Sequence, residues 1–269
     1  SISPPESSAA IVGKLMSGLV MGIILSRTFA GFVSNYWSWE GVYLSSGVIT
    51  LLFATLMWRK LPNTQPQSDL NIVSIYQSLF QIARNNPHLI RRACAGALGF
   101  GILSMVFTSM TFALGSAPYF FNDFEIGLFG LLGVIGIYSS SWSGKTVGLG
   151  KENLVAKLCI SLMLFSCVPL FFAQQNIWIY AIGVLMSYFG LTAFHVLNQN
   201  LVYRIDAKAR SRINAVYMTI YFSGAALGSL GAVYAWEHWQ WQGCVALGLI
   251  FAIGILWIDR LDFKLMRKN

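Results

Sequence analysis

Tyr188, Thr192, His195 and Gln199 recur at intervals of four, three and four residues, with Asn198 alongside, so a helix gathers them on one face. Hydroxyl, imidazole and carboxamide groups in such a stripe avoid lipid. They either line a substrate cavity or hydrogen-bond to a neighbouring helix. His195 adds proton chemistry, because imidazole titrates near neutrality, although a lone histidine in an apolar run also serves as an ordinary hydrogen-bonding residue. Ser104, Thr108 and Thr111 form a second, weaker stripe. Arg27 lies inside another apolar run, where a cation costs about 2.5 to 3.5 kcal/mol unless it is paired or hydrated. It is either functional or snorkels to an interface several residues away.

What is missing from these runs is equally informative. They hold no Asp or Glu, which removes paired-carboxylate catalysis and carboxylate proton relays. No phosphate loop, nucleophile with its base or metal-ligand spacing is visible, so no cofactor and no metal is expected. An intramembrane hydrolase built on His195 and a nearby serine has no motif behind it. Cys94, Cys159, Cys167 and Cys244 stand singly without CxxC spacing, which suits packing rather than a disulfide framework or zinc site. The net charge of +8 is spread over separate segments and forms no nucleic-acid patch.

The elements that position these residues follow from composition. Of the 269 residues, 56% are hydrophobic and 10% charged, and the mean hydropathy is +0.61, which fits no soluble class. Apolar runs of about 20 residues, the length that crosses roughly 30 Å of hydrocarbon, recur between short polar stretches. Each must be a helix, since lipid satisfies no bare backbone group. Eight spans are expected, at 10–34, 41–58, 93–115, 126–142, 154–173, 178–201, 213–234 and 243–258.

Lys and Arg are retained in short cytoplasmic loops. Arg59, Lys60, Arg84, Arg91 and Arg92, then Lys145 and Lys151, then Arg204, Lys208, Arg210 and Arg212, then Arg260, Lys264, Arg267 and Lys268 occupy alternate connections. The other connections hold Glu40, Asp123, Glu125 and Glu237 and no base. A multi-pass inner-membrane protein with both termini cytoplasmic is therefore expected. All nine tryptophans fall at expected span ends, where indole sits among headgroups. Between Leu61 and Arg92, residues Ile72, Ile75, Tyr76, Leu79, Phe80 and Ile82 recur at helical spacing beside Gln77, Gln81 and Arg84, which reads as an interfacial helix. The last span is apolar almost all round and suits a lipid-facing position. No cleavable signal peptide and no initiator methionine is visible at Ser1.

The chain also repeats itself. Ser17-Gly18 and Gly22 precede Trp37-x-Trp39-x-Gly41, as Ser223-Gly224 and Gly228 precede Trp239-x-Trp241-x-Gly243. Gly18, Gly22, Gly31, Gly224 and Gly228 are read as sites of close helix approach. If the pairs are copies, four helices intervene and the repeating unit has six helices of common orientation. The chain then holds the last two helices of one copy and the whole of the next.

These stretches resemble the major facilitator superfamily, near its bacterial drug:proton antiporter branch. Met16-Ser17-Gly18-Leu19-Val20-Met21-Gly22, continuing through Ser26-Arg27-Thr28 to Gly31, looks like the family's fifth helix, and Trp58-Arg59-Lys60-Leu61-Pro62 like the end of its sixth. Ile126-Gly127-Leu128-Phe129-Gly130 is similar to the start of the eighth. The run from Ala209 through Met218, followed by Ser223 to Ser229, is similar to the tenth loop and eleventh helix. Two positions depart from the pattern: Glu40 follows Trp39 where relatives usually carry Arg, and the loop from Ser143 to Lys151 lacks an Asp common there.

The resemblance implies an all-α membrane protein of eight transmembrane helices, helices five to twelve of a 6+6 fold, lacking the first four. Residues 1–60 would end the N-terminal bundle, 61–92 form a cytoplasmic linker, and 93–269 make the C-terminal six-helix bundle. It implies proton-coupled efflux of small organic molecules, with the bilayer, a small-molecule substrate and protons as partners. The spans bearing Ser104, Thr108, Tyr188, Thr192, His195, Asn198 and Gln199 would face the central cavity. Arg210 and Arg212 would be cytoplasmic gate contacts, or bind acidic lipid, or supply ordinary positive-inside charge. The alternative expectation is a remnant of such a transporter that moves no substrate.

Overall fold

The computed structural model describes residues 22, 25–60, 72–206 and 209–266, and among these every regular element is helical. The elements are α1 (residues 25–36), α2 (Trp39–Lys60), α3 (Ile72–Asn85), α4 (Pro87–Gly115), α5 (Asp123–Leu128), a 3₁₀ segment (Phe129–Val134), α6 (Ile135–Gly148), α7 (Glu152–Phe165), α8 (Cys167–Phe171) and α9 (Ile177–Tyr203). The final run, Arg210–Met266, turns at Gln240, whose φ of 53° and ψ of −149° are not helical. It therefore consists of α10 (residues 210–239) and α11 (residues 241–266). Six helical stretches among the described residues are long and apolar enough to cross a membrane: Trp39–Lys60, Pro87–Gly115, Asp123–Gly148, Glu152–Phe171, Ile177–Tyr203 and the divided Arg210–Leu265.

The described residues fall into two compact units. The first contains α1, α2, α5 and the 3₁₀ segment. The second contains α3, nearly all of α4, most of α6, and α7 to α11.

The structure refines several expected spans. The fourth is not one helix. Asn122 caps α5, its side chain accepting from the Glu125 amide while the Glu125 carboxylate accepts from the Asn122 amide. The chain then tightens into 3₁₀ turns over Phe129–Val134, where Gly130 and Gly133 are buried and Gly130 admits the Arg27 side chain closely. The fifth span breaks at Ser166, because Pro169 has no amide to donate to the carbonyl of Phe165. The expected helix in the linker is present as α3, with Tyr76 and Phe80 exposed, and it also packs along the Arg210–Met266 run.

The duplicated tryptophan motif has a structural counterpart. The chain leaves the helix at Ser38 in one copy and at Gln240 in the other, each time between the two tryptophans. Gly41 packs on the ring of Trp37, and Gly243 on the Cβ of Trp239, so both glycines press against the first tryptophan of their own motif.

Two expectations need correction. Trp241 is not a headgroup anchor: it is 2% exposed, and its indole nitrogen donates to the Leu170 carbonyl at 2.6 Å. Nor is the last span uniformly lipid-facing, since Val245, Ala252 and Ile255 form a buried face.

Candidate functional site

Three helices of the second unit place the polar stripes. Glycines let them approach closely: an added Cβ at Gly224 would meet the Ala97 backbone, and one at Gly228 the Gly101 backbone. This draws α10 onto α4 over two successive turns. The rings between α4, α9 and α10 then have fixed partners. His195 on α9 lies 3.2 Å from the Tyr217 hydroxyl through Nδ1, and its ring centroid is 4.5 Å from that of Tyr221. Tyr217 and Tyr221 stack at 5.8 Å, and Phe100 of α4 stacks on Tyr221 at 4.5 Å. Tyr188 meets Phe107 edge-on at 5.6 Å.

The remaining stripe residues divide between bonded and unbonded groups. Thr192 hydrogen-bonds Ser139 of α6 at 2.5 Å and donates to the Tyr188 carbonyl at 2.7 Å. Thr108 bonds Ser229 of α10 at 2.8 Å, and Ser104 is half-buried one helical turn away on α4. Thr111 is exposed and Gln199 half-buried. Asn198 is fully buried and lies beside the Tyr217 hydroxyl. The Tyr217 hydroxyl is its polar neighbour there, although the bond falls short of ordinary hydrogen-bonding geometry.

In the first unit, Gly31 of α1 sits against the Asp123 and Gly127 backbones, and the Arg27 stem covers Gly130. Thr28 donates to the Gly127 carbonyl at 3.2 Å, and Ser34 hydrogen-bonds Asp123. Arg27 is half-buried, with its aliphatic carbons packed on this seam. Gly22 has nothing within 4 Å among the described residues, and Gly18 lies outside them. Arg210 and Arg212 are exposed at the start of α10.

The sequence reading missed one cluster. Asp262 of α11, 1% exposed, accepts from Arg91 Nε at 2.7 Å and from Arg92 Nε at 2.6 Å, and His88 Nδ1 lies 2.9 Å away. Arg92 Nη1 also donates to Asp259 at 2.9 Å, and its guanidinium lies 5.1 Å from the Phe263 ring centroid. Arg92 is therefore a buried ion rather than a solvated loop charge. The usable signal was Asp259 and Asp262, three residues apart just after the last apolar run, matched by Arg91 and Arg92 just before the third. Among the described residues no group of three or more His, Cys, Asp and Glu is placed to hold a metal ion.

Residues 1–229 match the family model described as Major Facilitator Superfamily. The chain is 35% identical over 256 residues to the uncharacterized transporter YgaY of Escherichia coli O157:H7, covering 95% of this chain and 65% of that protein. It is 22% identical to the MFS-type transporter YybF of Bacillus subtilis, over 95% of this chain and 63% of the relative. It is 23% identical to the inner membrane transport protein YnfM of Escherichia coli K12, over 97% and 63% respectively. The chain thus spans a little under two thirds of the length of these relatives.

Proposed function

The chain belongs to the major facilitator superfamily, and from that premise we propose that its helices are part of a secondary-active transporter that exports small organic molecules against a proton gradient. In this reading residues 1–60 close the N-terminal bundle, 61–92 link the bundles, and 93–269 form the C-terminal bundle, with both termini cytoplasmic. The observation that carries it is the convergence of α4, α9 and α10 on His195, Tyr217 and Tyr221, with buried Asn198 one turn along.

The chemistry of that convergence suits small organic molecules. Aromatic faces offer apolar contact, and Ser104, Thr108, Asn198 and Gln199 offer a few directional polar contacts, the usual balance of a small-molecule site. His195 supplies the imidazole of that convergence, its Nδ1 hydrogen-bonded to the Tyr217 hydroxyl, and in this reading it carries the coupling proton. Protonation would fix Nδ1 as the donor to the Tyr217 oxygen, which ties proton occupancy to the contact of α9 and α10.

The test is uptake into inverted membrane vesicles energised by a pH gradient, using a panel of fluorescent organic cations and neutral aromatics. Gradient-driven movement that His195→Ala abolishes, with His195→Gln retaining binding but not coupling, supports the reading. Movement unaffected by both substitutions refutes it. A second reading is favoured by the chain's coverage of about 65% of its relative: these 269 residues by themselves insert but move nothing, because alternating access needs the walls of two bundles. Vesicles containing the chain alone that transport no member of the panel support that second reading.

A further inference from the structure

Away from the aromatic convergence, α7 and α11 leave a cleft of about 800 Å³ between them. It is lined by Asn153, Lys157, Ile160 and Ser161 from one helix and by Leu256, Asp259, Arg260 and Phe263 from the other. On α7 these residues repeat at four, three and one, and on α11 at three, one and three, so each helix turns one continuous face to the cleft. The polar members sit toward the start of α7 and the end of α11, and Ile160, Leu256 and Phe263 supply apolar wall.

The charges at this cleft are unbalanced. Asp259 is neutralised from behind by Arg92, which also carries Asp262. Lys157 and Arg260 are both exposed and enter no ion pair among the described residues. Leu158 and Phe165 on α7 and Ile253, Trp257 and Leu261 on α11 are exposed apolar side chains on the same two helices, so the cleft opens on a surface suited to hydrocarbon. Trp257, 64% exposed, is the kind of ring that marks headgroup depth. A cleft that joins two exposed cations, Lys157 and Arg260, to apolar wall from Ile160, Leu256 and Phe263 matches an amphiphile with an anionic head and a hydrocarbon tail.

We propose that the α7–α11 cleft binds an anionic phospholipid. Lys157 and Arg260 clamp the phosphate, Asn153 and Ser161 donate to its oxygens, and the first part of an acyl chain lies along Ile160, Leu256 and Phe263. This site is separate from the aromatic convergence and stands independently of the transport reading.

The experiment is native mass spectrometry of the purified full chain, equilibrated in detergent with phosphatidylglycerol and phosphatidylcholine of matched acyl chains. The expected result is retention of phosphatidylglycerol over phosphatidylcholine by roughly tenfold, which falls to parity in Lys157→Gln/Arg260→Gln. Arg59→Gln/Lys60→Gln, which removes two exposed cations at the end of α2, leaves the preference unchanged. Ser161→Phe fills the cleft with both cations kept and abolishes retention, and excess glycerol phosphate does not displace the lipid. Unchanged preference in either cleft variant overturns the proposal. So does an equal loss in the Arg59/Lys60 variant, which would mean that surface charge in general attracts the lipid. Should the double glutamine variant fail to fold, Lys157→Arg/Arg260→Lys and Ser161→Phe decide the matter, the first keeping the preference and the second losing it.

Discussion

Replacing Asp262 by Ala tests whether the ion cluster at the joint of α4 and α11 behaves as a buried network. The carboxylate, 1% exposed, has three basic partners between 2.6 and 2.9 Å. Removing it leaves the Arg92 guanidinium, also 1% exposed, held by Asp259 alone, with an Nη2 that already lacks a partner. An uncompensated buried charge of this kind costs about 3 to 5 kcal/mol. Asp259→Ala deletes one 2.9 Å bond and leaves Arg92 anchored by Asp262, so about 1 to 3 kcal/mol is expected. Arg91→Ala removes a guanidinium 26% exposed and costs under about 1 kcal/mol.

Arg92→Ala/Asp262→Ala removes both charges and is expected to cost clearly less than the sum of its single changes, because the Arg92–Asp262 bond is lost in each of them and is counted twice in the sum. The assay is reversible unfolding in mixed micelles by SDS titration, followed by tryptophan fluorescence. A loss below about 1 kcal/mol for Asp262→Ala, or strict additivity in the double variant, would mean that water reaches Arg92, and the burial argument would fail.

Other expectations follow from single contacts. Gly228→Val pushes a branched side chain into the Gly101 backbone and costs about 1 to 3 kcal/mol by the same titration, whereas Gly47→Ala, with open space around it, stabilises α2 by about 0.5 to 1 kcal/mol. Trp241→Phe leaves the Leu170 carbonyl without its donor and costs about 1 to 3 kcal/mol, while Trp257→Phe at an exposed position stays within about 0.5 kcal/mol. Tyr217→Phe removes the hydroxyl partner of His195 and is expected to shift the pH dependence of any transport without loss of expression, which initial rates across external pH would show.

The sequence exposed the frame more readily than the site. Apolar runs at bilayer length announce helices because lipid permits little else, and the linker helix was visible in the spacing from Ile72 to Ile82. The Trp-x-Trp-x-Gly repeat located both helix breaks, since the glycine that packs on its own tryptophan is a local arrangement. Long-range pairing was hidden. Nothing local distinguishes buried Trp241 from exposed Trp239; only Leu170, brought alongside by α8, makes the difference. Arg92 looked like loop charge because its partners stand about 170 residues away. The 3₁₀ turns after Leu128 were likewise invisible, because they accompany the seam where Arg27 and Gly31 press on Gly130 and Gly127.

The most direct measurement is cysteine accessibility across the second unit. Four single cysteines are placed at Lys151, Gln175, Arg210 and Glu237 in a chain with the native cysteines replaced, and intact cells are labelled with a membrane-impermeant maleimide. Arg210 and Glu237 stand at opposite ends of α10, roughly 40 Å apart at 1.5 Å per residue. Positions 175 and 237 are expected to react in intact cells, and positions 151 and 210 only after permeabilisation. Equal labelling of 210 and 237 from outside would contradict a chain whose helices cross the membrane in alternation with their basic loops inside.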